Sequence, residues 1–330
     1  EIASCLVGSE MCIRDRFGSQ LHKEDYVADG TPIVTVEHLG NKMFSEQNLP
    51  RVSNTDKNRL KKYVLKQGDI VFSRVGSVDR CSYVDQKHDG WMFSGRCLRV
   101  RPTSEIDSEY LYYYFCLEET KQFVRNISVG ATMPSINTKL LGEVVVTFPE
   151  LEQQKRISGI LSAIDSKIEV NQKINDNLEQ QAVALFKSWF VDFSLFGGTV
   201  PENWEDTTLE NITTLITRGI APKYSDNSDQ TVVNQKCIRN HTIDLSLART
   251  HTPKAINEKW LKFGDLLINS TGDGTLGRVA QVWFAPKALT VDSHVTIVRP
   301  AREELIFYIG LWGILHEKEI ESLHTGSTCL

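Results

Sequence analysis

The 330-residue chain is notable first for what it does not contain. It has no Cys-x-x-Cys pair, no Gly-x-x-x-x-Gly-Lys-[Ser/Thr] phosphate loop, and no Gly-x-Gly-x-x-Gly opening a helix. The first absence, with an odd total of seven cysteines, fits a reducing, cytoplasmic setting better than a disulfide scaffold or a zinc site. The other two exclude ATP-driven work and dinucleotide binding by the familiar routes. The longest apolar stretch, 305–315, is too short to span a bilayer, so no membrane role is expected. No Asn/Asp-Pro-Pro-aromatic tetrapeptide of the amino-methyltransferase kind is present. Glu152-Gln-Gln-Lys155 lacks the paired acid of a nuclease site. The chain is therefore expected to be non-catalytic, with no metal or cofactor of its own. Nor is there an excess of positive charge. A net charge of −5 argues against nonspecific binding to nucleic acid, unless partner subunits supply the basic surface.

What is present is a repeat. Leu65-Lys-Gln-Gly-Asp-Ile-Val-Phe-Ser-Arg-Val-Gly76 recurs as Leu261-Lys-Phe-Gly-Asp-Leu-Leu-Ile-Asn-Ser-Thr-Gly272. Arg99-Val-Arg-Pro102 recurs as Ile297-Val-Arg-Pro300, and Gly130-Ala-Thr132 as Gly326-Ser-Thr328. Three ordered matches at nearly constant spacing indicate a duplicated domain. Each copy predicts a Gly-Asp turn, then a strand at 70–72 or 266–268. A polar loop at 73–80 or 269–278 and a strand closed by Arg-Pro follow. Last comes a helix, at 108–123 or 303–315. The fold class is α+β.

Between the copies, residues 151–190 carry apolar positions at alternating steps of three and four. Ile157, Leu161, Ile164, Ile168, Asn171, Asn175, Leu178, Ala182, Leu185 and Trp189 form the seam of one long helix, with Pro149 before it and Gly197-Gly198 after it. An amphipathic core helix would show a similar stripe. The length of the seam and the two asparagines within it favour a coiled coil. A second such helix is expected beyond Leu330, outside this chain.

Four segments frame the organisation. Residues 1–16, whose Ser4–Arg16 stretch resembles translated adaptor sequence, are set apart as non-native. The first copy of the repeated domain spans 17–149, the central helix 150–196, and the second copy 197–330.

The candidate contact groups lie in the loops. The first copy offers Ser73, Arg74, Ser77 and Arg80; the second offers Asn269, Ser270, Thr271, Asp273, Thr275 and Arg278. Arginine reads guanine bidentately and asparagine reads adenine, so this inventory suits base readout, although a structural turn between strands would use the same residues. Gln235, Lys236, Arg239, Asn240 and His241 sit in a polar stretch that is either a strand with a solvated face or a contact element. His241 has no second ligand at a metal-like spacing. The aromatic run Tyr110, Tyr112, Tyr113, Tyr114, Phe115 is flanked by acids and is expected to pack a helix on a sheet rather than stack on bases. The basic run from Arg51 to Lys66 is a solvated face or a phosphate contact.

Four stretches together closely resemble the specificity subunits of type I restriction-modification systems. They are Gly130-Ala-Thr-Met-Pro-Ser-Ile-Asn137 with Phe148-Pro-Glu-Leu-Glu-Gln-Gln-Lys-Arg-Ile157; Ile164-Asp-Ser-Lys-Ile168 with Asn171-Gln-Lys-Ile-Asn175; Leu185-Phe-Lys-Ser-Trp-Phe-Val-Asp-Phe193; and the run 234–300. The resemblance implies two target-recognition domains separated by one of two mutually paired helices. It also implies a bipartite site on double-stranded DNA. Two modification subunits would carry S-adenosylmethionine-dependent adenine methylation, and restriction subunits would carry ATP- and Mg-dependent translocation and cleavage. A fragment of a fused methyltransferase-nuclease and a plain coiled-coil scaffold are the competing readings.

Overall fold

The computed structural model describes residues 3–6, 12–14, 23–130, 132–272 and 274–323. The chain divides into two compact units, Glu1–Asn171 and Gln172–Leu330. The division falls inside one helix.

Unit 1 runs β1 (Ala3–Leu6), β2 (Cys12–Arg14), β3 (Tyr26–Val34), β4 (Arg51–Val52), helix α1 (Asn54–Arg59), β5 (Ile70–Ser73), β6 (Cys81–Tyr83), β7 (Met92–Phe93) and β8 (Cys97–Arg101). Helices α2 (Ser108–Cys116), α3 (Glu118–Ile127) and α4 (Thr138–Leu141) and strand β9 (Val145–Phe148) follow, leading into α5 (Leu151–Phe190). A four-stranded sheet has the order β2-β8-β5-β6, and a three-stranded sheet the order β4-β3-β7. Strand alternation supplies both cores, because successive side chains point to opposite faces. Ile70, Phe72, Leu98 and Val100 pack under Leu111, Tyr112 and Phe115 of α2. Val71 and Cys97 point the other way, onto Ile33, Val34, Met92 and Phe93. The unit is thus three layers: helices, sheet, sheet.

Unit 2 repeats the plan. Its strands are β10 (Thr213–Arg218), β11 (Thr231–Val233), β12 (Ile238–Arg239), β13 (Thr242–Ile243), β14 (Arg249–Thr250), β15 (Leu266–Asn269), β16 (Val279–Gln281), β17 (Leu289–Val291) and β18 (Val295–Pro300). Helix α6 (Leu209–Ile212) precedes them, and α7 (Leu305–Leu315) and α8 (Glu317–Ser322) close the described chain. The sheet orders are β10-β18-β15-β16 and β14-β11-β17, strand for strand those of unit 1. Even the mixture of pairings is kept: β3 and β11 each pair antiparallel with one neighbour and parallel with the other. Leu266 and Ile268 face the helices; Leu267, Val295 and Ile297 face the smaller sheet.

The repeated Gly-Asp and Arg-Pro motifs meet in space. In unit 2, Arg299 donates Nε and Nη2 to the two Asp265 carboxylate oxygens at 2.8 and 2.7 Å, and also donates to the carbonyls of Glu258 and Trp260. In unit 1, Arg101 grips Asp69 through two bonds of 2.6 Å, while the buried Arg99 donates to the Lys62 and Val64 carbonyls. Both aspartates also accept the backbone N–H three residues before them, which closes the turn. The repeat legible in the sequence is therefore a structural anchor.

Within residues 1–16, β1 pairs with β9 and β2 pairs with β8, where unit 2 has β10 against β18. The pairing satisfies the backbone groups of an otherwise open β8 edge. The single helix at 108–123 is two helices, because Leu117 adopts extended angles (φ −61°, ψ 136°) between them, and Glu118 and Glu119 favour a fresh N-terminus. The aromatic run does pack on the sheet, with Phe115 against Phe72 at 4.9 Å. The Gly326–Thr328 part of the repeat lies outside the described residues.

Helix α5 has an inverted surface. Its buried positions are Gln154 and Ser158 in unit 1 and Phe186 in unit 2. Gln154 accepts from the Asp107 N–H and donates to the Glu105 and Pro149 carbonyls. The apolar seam faces solvent instead: Ile157, Ile164, Ile168, Leu178, Leu185 and Trp189 are all exposed, as are Asn171 and Asn175, while Leu161 is half-buried. Ile160, Val170 and Ile174 widen the stripe. No helix among the described residues is long and apolar enough to cross a membrane.

Candidate nucleic-acid interface

In each unit a hairpin follows the central strand of the smaller sheet; in unit 2 it lies beside the loop that follows the Gly-Asp strand, and in unit 1 it pairs with Ser82, just past the 73–80 loop. In unit 2 the hairpin begins with a short 3-10 turn, Gln235–Cys237, capped by the Asn234 side chain. It continues into β12 and β13, paired Ile238↔Ile243 and Arg239↔Thr242. Asn240 and His241 form its tip with φ of +49° and +55°. Two positive φ values give the turn type whose twist suits a two-residue hairpin.

The loop 269–278 is held against this hairpin from within. The Asn269 side chain donates to the Gln235 and Thr275 carbonyls, each at 3.1 Å. The Ser270 hydroxyl bonds Thr296, and the Thr271 hydroxyl lies 2.6 Å from His294 Nδ1. Gly272 turns with φ +102°; a Cβ there would meet Thr275 Oγ1 at 2.4 Å and Gln235 Oε1 at 2.7 Å. Any other residue would have to displace the Thr275 and Gln235 side chains and hold a backbone angle that L residues rarely adopt.

The candidate residues thus divide. Asn269, Ser270 and Thr271, and Ser73 in unit 1, are buried and hydrogen-bonded inside the protein, with Asn269 engaged through its amide nitrogen alone. For these four the expectation of outward-facing contact groups is corrected: they shape the loop. The exposed side chains are Lys236, Arg239 and Asn240 on the hairpin and Ser77 and Arg80 on the unit 1 loop. Gln235, Thr275, Arg278 and Arg74 are half-buried. Arg278 donates Nη2 to the Gly274 carbonyl at 2.6 Å, which curls it over the loop. Arg74 donates to the Gly95 carbonyl at 3.2 Å. Asp273 lies outside the described residues. Of the basic run, Arg59, Lys61, Lys62 and Lys66 are exposed, and Arg59 is tied to Asp56 at 2.7 Å.

The structure adds residues that sequence reasoning missed. Lys42 Nζ, at the unit 1 hairpin, bonds Ser162 of α5 at 3.1 Å and Tyr113 at 2.8 Å, and pairs with Glu109 at 3.0 Å and Asp165 at 3.7 Å. In unit 2, His241 Nδ1 lies 2.6 Å from Glu179 of α5. No local motif marks these positions. Only superposing the hairpins, Leu39↔Phe44 on Ile238↔Ile243, brings Lys42 onto His241.

This arrangement presents a few basic and amide side chains on rigid, glycine-shaped loops. It can touch phosphates and base edges, and among the described residues it assembles no catalytic group. Comparison with known proteins agrees with the layout. The sequence signature of the type I restriction modification DNA specificity domain matches residues 13–180, slightly more than half of the chain. The chain is 29% identical over 220 residues to the type I restriction enzyme MjaIX specificity subunit of Methanocaldococcus jannaschii, covering 60% of this chain and 49% of that protein. It is 35% identical over 136 residues to the HindI specificity subunit of Haemophilus influenzae, covering 40% of this chain and 30% of that protein. The chain thus spans about half or less of the length of these relatives. Its fold is similar to that of the type I restriction-modification S subunit from M. genitalium, with a TM-score of 0.58 and 16% identity, covering 98% of this chain and 79% of that one. By its sequence signature, the chain belongs to the type I restriction-modification DNA specificity family.

Proposed function

We propose that the chain is the DNA-reading subunit of a type I restriction-modification complex, acting in the cytoplasm without catalysis of its own. The duplicated loop-and-hairpin surface carries this reading. Each unit reads one half of a bipartite target, and the modification and restriction subunits supply S-adenosylmethionine, ATP and Mg chemistry. Those partners also supply the positive charge that a chain of net −5 lacks. The exposed seam of α5 pairs with a second helix of the same kind. A fused methyltransferase-nuclease has nothing in its favour, since the relatives above are specificity subunits.

The test is to co-express the chain with type I modification subunits and to map methylated bases by single-molecule sequencing. A two-part motif that depends on this chain is expected; methylation indifferent to it would end the proposal. In the same assay Arg278→Ala should weaken or relax recognition at one half-site only, by about 1–3 kcal/mol if the side chain reaches a base. Equal weakening at both halves would make Arg278 a general phosphate contact or a structural group.

Helix length offers a second handle. At 1.5 Å per residue, the 40 residues of α5 amount to about 60 Å. One heptad inserted near Asn175, matched in the partner helix, adds roughly 10 Å. At about 3.4 Å per base pair the unread gap should grow by at most about three base pairs. An unchanged gap with full activity would remove the helix as the ruler.

A further inference from the structure

The tip of the unit 2 hairpin is occupied by a residue that local geometry does not favour. His241 sits at φ +55°, where glycine is the usual choice, and Lys42 occupies the equivalent position in unit 1 at φ +64°. Both side chains can carry a positive charge, and both reach a carboxylate of α5: Lys42 to Asp165 at 3.7 Å, His241 to Glu179 at 2.6 Å. Each also pairs with a carboxylate from outside α5, Glu109 at 3.0 Å and Glu317 at 3.5 Å. A non-glycine residue held at such an angle twice over, each time gripping the same helix, points to a role beyond making the turn.

The imidazole geometry is specific. Nδ1 faces Glu179 and Nε2 faces Glu317. Carboxylates only accept, so both nitrogens must donate, and only the imidazolium can do that. Glu317 also accepts the Val279 N–H at 2.8 Å, where the 269–278 loop enters β16. The Arg278 charge also favours the ionised form of Glu317. His241 and Glu179 border a cavity of about 220 Å³ walled in part by Ala182, Ala280 and Leu311, a low-dielectric edge that strengthens the pairing.

We propose that His241 is the positioning residue of unit 2: as a cation it fastens the recognition hairpin, and through Glu317 the end of the recognition loop, to the long helix, as Lys42 fastens the hairpin of unit 1. The difference is that the unit 2 clamp can be opened by pH. The hydrogen bond to Glu317, together with that to Glu179, outweighs desolvation and raises His241 from 6.5 to about 8. A raised folded-state value means the stabilisation is complete below about 6.5 and is lost as pH rises through about 8.

That the clamped hairpin reads DNA rests on the function proposed above; the clamp itself is tested without DNA. In the full 330-residue chain, the His241 Cε1 proton shift and amide exchange are followed by NMR between pH 6 and 9. Residues 39–44 serve as an internal reference. The ring should titrate near 8, and protection of residues 238–243 relative to the reference should fall across that midpoint, by at most roughly thirtyfold. His241→Ala should remove the protection at every pH and leave residues 39–44 unchanged. His241→Lys should keep it and erase the pH step. Titration near 6.5, or protection of 238–243 indifferent to both pH and His241→Ala, overturns the clamp. So does a folded His241→Lys chain that is no better protected than His241→Ala. With modification subunits added, His241→Ala should lower methylation of the mapped motif and His241→Lys restore it. If no motif is methylated by any form, the DNA-reading assignment fails while the exchange result stands on its own.

Discussion

Replacing Asp265 by alanine is expected to destabilise unit 2 by about 3–5 kcal/mol, the cost of stranding one member of a buried ion pair. Asp265 is fully buried and Arg299 nearly so. The pair is bidentate, and the same carboxylate closes the Gly-Asp turn through the Lys262 N–H. Truncation leaves a guanidinium with only the Glu258 and Trp260 carbonyls and opens the turn at the head of β15. The measurement is denaturant unfolding, read as a fall in midpoint at unchanged slope. Asp69→Ala should act alike in unit 1, where Arg101 and Arg99 lose their shared partner. A loss below about 1 kcal/mol would show that water or relaxation solvates the arginine and that the repeated motif is not an anchor.

The second large effect concerns assembly. Leu178→Asp or Ile164→Asp should cost the isolated chain no more than about 1 kcal/mol, because both side chains are already exposed, at 57% and 52%. In the full-length subunit the same changes should abolish the complex. An unpaired carboxylate forced into a packed apolar seam costs several kcal/mol. Circular dichroism of the chain alone and light scattering of the co-expressed complex separate the two. An intact complex carrying either substitution would mean that the stripe stays in solvent.

The long helix was legible because its seam is a period maintained from Ile157 to Trp189; the stripe belongs to the helix and needs no tertiary information. The duplication was legible through Gly-Asp and Arg-Pro, which the structure shows to be two halves of one ion pair. The direction in which loop side chains point was not. Asn269, Ser270 and Thr271 have the chemistry of DNA contacts, but the same donors and acceptors are equally suited to bonding Gln235, Thr296 and His294, and burial decides between the two uses. The break at Leu117 was hidden because helix propensity continues through it. The Lys42 and His241 contacts were hidden for another reason: they join residues 62 to 123 positions apart, through side chains that share charge but not identity.

The separation of anchor from loop has a bearing on how such a protein changes its target. The ion pair closes the turn at the head of β15, the 269–278 loop leaves the other end of that strand, and glycines and main-chain bonds set the loop's path. Lys236, Arg239 and Asn240 project from that frame into solvent. Substitutions at exposed positions of this kind typically alter stability by less than about 0.5 kcal/mol. New side chains can therefore be tried at these positions with little loss of folded protein, so the chemistry presented to a target can drift while the scaffold is conserved. Mutational tolerance is concentrated where novelty is useful, and intolerance falls on the aspartate and arginine at the head of the strand.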